Sequence, residues 1–501
     1  MNLATKKRKF SIWWFSLAAA TVLTGAFLSA YFSWLAIPIM IGLVLFIACL
    51  VLILDQPWLG VLLTAFFLPF EKIGGIDLIG QNTLKINQLF ATATIVAWIL
   101  CYLIIVKKAP TKTPLTWPIL AYLAVAAISL LNAVNLERGI MIWLFTCFVM
   151  VFALTIPQVV TTASQVRKVV LALLISAGLV ALFGLYQFAG DVVGLPAALT
   201  GLRKQYTDMV FGFPRIHSTA LEPLYFANYL LIPIAVGFMV WISARGGDNK
   251  KIQFKKFQIS PRLTLLAILV VSVLALILTL SRGGFLGLAA AGAVLIGLSW
   301  RRLFQWKNFL PLLLIGSIAA LAVISFLNFS GKLSLDVFWE QATEYQKGAS
   351  IEERFDSYAE AEKLWAKNIY FGIGLGNFGP RVAPAPNLIP EEGWAIVNNE
   401  TLEILAETGI GGLAAIAGLF ILVIWRAVAG LFRVRYLADE KLRVYLFAVL
   451  GGLLAALIGI LVQYQTFSTL YILHVWFVVG MIEAVRAVID RQQIKINNKI
   501  K

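Results

Sequence analysis

Charge is scarce in this chain. Only 13% of its 501 residues are Asp, Glu, Lys or Arg, while 60% are apolar and the mean hydropathy is +0.87. A soluble protein of this length needs a charged surface that such a composition does not supply. Cysteine is nearly absent as well. Cys49, Cys101 and Cys147 all fall inside apolar runs, so there is no disulfide framework and no zinc spacing, and the three read as small buried hydrophobes. Alternating segments of about ten residues are missing, which excludes a transmembrane β-barrel.

What is present is a series of apolar runs about twenty residues long, enough to cross a hydrocarbon core of roughly 30 Å. They predict spans near 10–31, 34–54, 57–70, 88–106, 115–132, 139–160, 169–189, 223–243, 263–280, 283–299, 308–327, 403–425, 444–462 and 470–485. The expected fold is an all-α polytopic transmembrane bundle of about 14 spans, with a range of 12–14 because the third is short and 71–87 could re-enter the membrane. Three regions follow: a bundle of about eleven spans over 1–327, a polar loop over 328–402, and closing helices with a basic tail over 403–501. Lys6, Lys7, Arg8 and Lys9 resemble the start of a signal peptide, but the run behind them is long and lacks a small-residue cleavage site, so an uncleaved anchor is expected.

The net charge of +16 raises the question of nucleic acid, and its distribution answers it. With the N-terminus inside, the alternating loops place 28 of the 41 Lys and Arg on the cytoplasmic side, and 19 of the 25 Asp and Glu outside. That asymmetry is what the positive-inside rule predicts, so no nucleic-acid partner is needed and both termini are expected in the cytoplasm.

The long loop changes character. Ser350 and Glu353 have capping-box spacing, and Ile351, Phe355, Tyr358, Trp365 and Ile369 recur at helical intervals behind them. Leu335, Phe338, Trp339, Ala342 and Tyr345 repeat the pattern earlier. Both stretches predict amphipathic helices over the bundle or at the membrane interface. The loop ends in Gly372-Ile-Gly-Leu-Gly-Asn-Phe-Gly379, which contains G-x-G-x-x-G by letter. Without a surrounding βαβ unit it is not a dinucleotide site, and a tight glycine turn against helices is the better account.

Several charged residues gather on the predicted outer side. Arg215 lies just before the eighth span, and Arg282 stands between two apolar runs next to Gly283 and Gly284, which allow close approach of a ligand or a backbone. Such arginines snorkel, pair internally or bind an anion, and their planar fork suits phosphate. Glu400, Glu403 and Glu407 share one face at the start of the twelfth span, behind Asn398 or Asn399 as N-cap. Compensation of the helix dipole explains the first two better than Glu407. Glu222 precedes Pro223, a good first helical residue, and His217 is one of only two histidines. Glu71 and Asp77 are too far apart for a convincing metal-binding pair.

Three segments resemble one family. They are Ser281-Arg-Gly-Gly-Phe-Leu-Gly287, the run from Arg354-Phe355 through Lys363-Leu-Trp365 to Phe371-Gly-Ile-Gly-Leu-Gly-Asn-Phe378, and Asn398-Asn-Glu-Thr-Leu-Glu-Ile-Leu-Ala-Glu-Thr-Gly-Ile-Gly-Gly412. Taken in order, over roughly residues 200–430, they resemble the O-antigen ligase/polymerase superfamily of bacterial envelope glycan transferases. The resemblance implies transfer of a glycan from undecaprenyl diphosphate to an acceptor hydroxyl on glycan, lipid or protein. The reaction would take place at the outer face of the cytoplasmic membrane, among its lipids, with inversion and without metal or cofactor. It assigns Arg215 and Arg282 to the lipid diphosphate, and Arg354, Asn398, Asn399 and Glu400 to the substrate loop. Ligase-type members carry histidine where this chain has Asn398, and asparagine is no base: either another group such as Glu222, Glu403, Glu407 or His217 takes the proton, or the chain is a polymerase-like branch with a different arrangement, or activity has been lost. A flippase for an anionic lipid is the main competitor, but transporters show related halves with sites near the midplane, and neither is visible here. The signatures of the peptidoglycan glycosyltransferase of cell-shape machinery are not apparent, and a pure scaffold leaves Arg282 unexplained.

Overall fold

A computed structural model describes residues 36–71, 76–77, 83–107, 109–207, 213–244, 252–254, 257–305, 308–310, 317, 321, 349–388, 390 and 393–500. Its helices are α1 (Ala36–Asp55), α2 (Trp58–Phe67), α3 (Ile86–Trp98, continuing as a wider π turn over Ile99–Ile105), α4 (Thr116–Ser129), α5 (Leu136–Val159) and α6 (Ala163–Val192). The short α7 (Ala197–Thr200) precedes α8 (Pro223–Ser243), α9 (Pro261–Leu278), α10 (Arg282–Leu303), α11 (Ala349–Lys367) and the short α12 (Phe378–Val382). The chain closes with α13 (Glu400–Arg433), α14 (Glu440–Gln463) and α15 (Leu473–Ile500). The only described strands form two short hairpins, Ile76–Asp77 with Thr83–Leu84 and Ile252–Phe254 with Phe257–Ile259.

Twelve of the fourteen expected spans coincide with described helices, and 223–243 matches α8 residue for residue. The run 10–31, most of 308–327, the helix expected over 335–345 and the Ser350–Glu353 capping box lie outside the described residues or side chains. Seven described helices are long and apolar enough to cross a membrane. This is a multi-pass helical membrane protein, with no described strand beyond those two hairpins.

Burial ranks the helices. The most apolar window of α8 is 89% buried, whereas that of α9 is only 28% buried. Around α8 pack α14, α10 and α9; α15 joins α14 to α5, and α6 lies against α9 and α2. Helices at the rim turn one stripe outward. On α6, Leu171, Ile175, Leu179 and Leu182 are all more than 40% exposed at helical spacing, as a lipid-facing surface requires. Glycines set the closest contacts. A Cβ on Gly287 of α10 would stand 2.8 Å from the Gly459 carbonyl oxygen of α14, and one on Gly284 would stand 2.7 Å from Ala227 Cβ of α8. Those glycines therefore serve helix packing, one of the two uses their sequence allowed.

Helix α11 forms, but its buried face differs from the expected one. Ala361 and Leu364 are buried against Ile373, Phe378, Val397 and Ala406, while Phe355 and Ile369 are exposed. The periodicity gave the helix, but small Ala361 marks the side on which α13 comes close. Near the far end of the bundle, Arg426 of α13 donates from Nε and Nη2 to the Glu483 carboxylate of α15, both at 2.6 Å. Arg486 adds a bond to the Arg426 carbonyl at 2.9 Å. The pair matches a planar fork to a planar carboxylate and clamps the two helices.

Candidate functional site

The glycine run is built against a break in α13. At Gly409 the helix leaves helical geometry, with φ 68° and ψ −171°. The break frees backbone groups that a continuous helix would use internally. Ile373 N–H donates to the Ala406 carbonyl at 2.9 Å, Gly374 N–H to the Glu407 carbonyl at 3.0 Å, and Ile410 N–H to the Ile369 carbonyl at 2.9 Å. The two backbones touch, since a Cβ on Gly372 would overlap the Glu407 carbonyl and one on Gly409 would overlap that of Tyr370.

The three glutamates divide their work. The Glu407 carboxylate accepts from Gly376 N–H at 2.7 Å and Phe378 N–H at 3.0 Å, so it anchors the glycine loop. Glu403 accepts from Val397 N–H at 3.0 Å and closes the turn into α13. Glu400 is buried against the Thr469 and Leu470 backbone, with Oε2 lacking a hydrogen-bond partner. Asn399 is the N-cap, accepting from Leu402 N–H at 3.1 Å. Asn398 sits at φ 59°, a left-handed conformation that asparagine tolerates, and its carbonyl accepts from Tyr358 Oη at 3.4 Å.

The turn 463–472 between α14 and α15 gathers the remaining candidates. Arg354 Nη1 donates to the Thr466 carbonyl at 3.2 Å, and Asn399 Nδ2 to the Gln465 carbonyl at 3.3 Å. Gly283 packs directly on Thr466, which places exposed Arg282, the first residue of α10, beside the same turn. Ser281 caps that helix, its Oγ accepting from Gly284 N–H at 3.1 Å. Arg215 reaches this corner from another segment, with Nε donating to the Thr279 carbonyl at 3.2 Å. Tyr225 and Phe467 meet edge to face at 4.9 Å and tie α8 to the turn.

Glu222 is the N-cap residue of α8 and is exposed; Pro223 takes the first helical position, as expected. Surrounding protein pushes its carboxyl above the usual range, against the pull of Arg203 and Arg215. His217 is buried, with its ring edge toward Tyr206 at 5.6 Å. Glu71 accepts from Leu221 N–H at 3.4 Å, and burial raises its carboxyl while Lys85 opposes that shift.

Three cavities that share lining residues adjoin Glu71 and the three glutamates of α13. One of about 360 Å³ is lined by Asn135, Arg138, Phe145, Asn387, Trp394 and Tyr471. A second, of about 130 Å³, shares Phe145 and Tyr471 and runs past Lys85 to Glu71 and Tyr225. A small third cavity shares Arg138 and Tyr471 and reaches Glu400, Glu403 and Glu407. Arg138 holds this corner together: its Nε donates to the Gly376 carbonyl at 2.8 Å, and its guanidinium lies 5.5 Å from the centre of the Trp394 ring. Sequence reasoning passed over Arg138, Lys85, Tyr471 and the whole turn 463–472. Arg138 had one usable signal, a lone cation in a short outer loop, which Arg282 shares.

Residues 267–417 match the family model of O-antigen ligases. The match bears out the resemblance to the O-antigen ligase/polymerase superfamily and includes Arg282, Arg354, the glycine run and the Asn398–Gly412 segment, while Arg215, His217 and Glu222 precede it. No curated protein matches the chain.

Proposed function

We propose that this protein transfers a glycan from undecaprenyl diphosphate to an acceptor hydroxyl, at the outer face of the bacterial cytoplasmic membrane, with both termini inside. A single observation carries the reading. Arg215, Arg282 and Arg354 come from three distant segments and converge on one corner, joined through the Thr279 and Thr466 carbonyls and the Gly283 contact. Three guanidinium groups at one end of a lipid-facing bundle suit a diphosphate, whose oxygens accept paired N–H bonds.

In this reaction the acceptor oxygen attacks the anomeric carbon from the face opposite the phosphate. The carbon–oxygen bond to phosphate breaks, the configuration inverts, and the diphosphate leaves with the electron pair. The arginines stabilise its growing charge. The acceptor proton passes to Glu222. Among the four candidate bases, Glu222 has its charge beside Arg203 and Arg215, whereas Glu403 and Glu407 are occupied by backbone N–H groups and His217 is buried. Desolvation by the surrounding protein raises the Glu222 carboxyl above the ordinary range, the direction that favours taking up a proton. The scheme runs without metal.

The test is reconstitution of the full chain in liposomes with lipid-linked oligosaccharide, followed by product sizing. Arg215→Ala and Arg282→Ala are each expected to abolish transfer while the protein still inserts. The lysine forms are expected to be impaired, because they lose the planar fork. Full activity of both alanine variants refutes the site. A product ladder identifies a polymerase and a single transfer a ligase; movement of unchanged lipid replaces the proposal with a flippase.

A further inference from the structure

The opposite end of the bundle holds a second cationic cavity that the transfer reaction does not use. Helix α10 has 22 residues, about 33 Å at 1.5 Å per residue, so its last turn lies a membrane thickness from Arg282. There, Arg301 and Arg302 line a cavity of about 790 Å³ together with Arg435 from the turn after α13. Met239 and Ser243 of α8 and Phe447 of α14 form its other walls. The volume falls within the range of sites that hold small organic ligands.

Three other arginines at this end have carboxylate partners. Arg426 pairs with Glu483, Arg433 with Asp490 at 3.1 Å, and Arg443 with Glu440 at 3.8 Å. Among the described residues, Arg301, Arg302 and Arg435 form no ion pair; Arg435 lies over the Phe432 ring at 5.1 Å. A second observation is independent of charge. Ser243 is 6% exposed, lines the cavity, and its Oγ has no hydrogen-bond partner, although a helical serine usually bonds the carbonyl four residues back. A buried hydroxyl in that state calls for a polar ligand. Trp300 lines the cavity mouth and meets Phe304 in a tilted ring contact at 4.5 Å; both are more than half exposed and form an apolar wall next to the arginines.

We propose that this cavity binds the phosphate headgroup of an anionic glycerophospholipid from the leaflet that the charge asymmetry places on the cytoplasmic side. The three guanidinium groups take the phosphate oxygens and Ser243 donates to the headgroup. The acyl chains lie along Trp300 and Phe304. A free anion would use the same charges but would have no need of the aromatic wall.

The probe is fluorescent phosphatidylglycerol, titrated against the purified full chain in neutral detergent, with phosphatidylcholine as the uncharged comparison. Each arginine near a membrane surface contributes roughly a fivefold change in affinity, so joint Arg301→Gln, Arg302→Gln and Arg435→Gln is expected to weaken binding on the order of a hundredfold. Arg433→Gln, which removes a charge outside the cavity, is expected to change it less than about twofold. Unaltered affinity in the triple variant overturns the proposal, as does equal binding of phosphatidylcholine. Displacement of the lipid by millimolar inorganic phosphate replaces the lipid site with a simple anion site. If the triple variant does not purify, the three single variants decide the matter: loss in each supports the site, and unaltered affinity in all three overturns it.

Discussion

Glu407 is the place where a structural and a catalytic role separate most cleanly. Its carboxylate accepts two charge-assisted bonds, from Gly376 N–H at 2.7 Å and Phe378 N–H at 3.0 Å, in a buried setting. In Glu407→Ala both donors lose their acceptor. Each unsatisfied buried N–H costs about 1–3 kcal/mol, partly offset because a carboxylate no longer has to be desolvated, which leaves roughly 2–5 kcal/mol of destabilisation. Glu407→Gln keeps one acceptor oxygen and turns an NH₂ toward the other donor, so about half that loss is expected. Thermal unfolding in detergent gives the stability, and limited proteolysis across 372–379 reads the loop directly. Transfer activity should fall only in step with loop order. A general base behaves differently: its amide variant loses about 10²–10⁴-fold in rate with the fold intact. Glu407→Gln with wild-type stability, a protected loop and no transfer would refute the anchoring role and move the base from Glu222 to Glu407.

Two further outcomes test the architecture. Gly409→Ala is expected to prevent recovery of folded protein, because the site has φ 68° and the added Cβ would overlap the Tyr370 carbonyl carbon; size-exclusion profiles of the variant against wild type check this. Glu483→Ala is expected to cost about 3–5 kcal/mol by leaving Arg426 buried and unpaired, whereas the double variant Arg426→Met, Glu483→Leu should recover most of that; a thermal double-mutant cycle measures the coupling.

The spans and the sidedness of charge were legible because each depends on local composition. Apolar runs announce helices wherever they lie, and α8 was bounded to the residue from its polar flanks and Pro223. The glycine run and the Thr408-Gly409 step were both visible as letters, yet their pairing was not. That pairing rests on carbonyls released by a helix break, and a break at a single glycine inside an apolar run leaves no periodic trace. The candidate site divides along the same line. Arg215 and Arg282 stood out because a charge at membrane depth is costly wherever it occurs. The turn 463–472 did not, although it ties Arg354 and Asn399 to the corner where Arg282 stands. It acts through the Gln465 and Thr466 carbonyls and through its backbone beside Glu400, and every residue type offers those groups.

That difference bears on how the site can tolerate change. The Gln465 and Thr466 carbonyls do not depend on their own side chains, provided the turn keeps its path. The path is held by Tyr464 Oη donating to the Thr469 carbonyl at 3.0 Å and by Trp476 Nε1 donating to the Leu470 carbonyl at 2.7 Å. Gln463 extends the support inward, accepting from Asn228 Nδ2 at 3.0 Å, while Asn228 Oδ1 lies 2.6 Å from His474 Nε2. The second histidine of the chain therefore sits beneath the turn as part of its foundation. A polar ladder from α14 through α8 to α15 sets where Thr466 presents its carbonyl, and so where Arg354 is held beside Arg282.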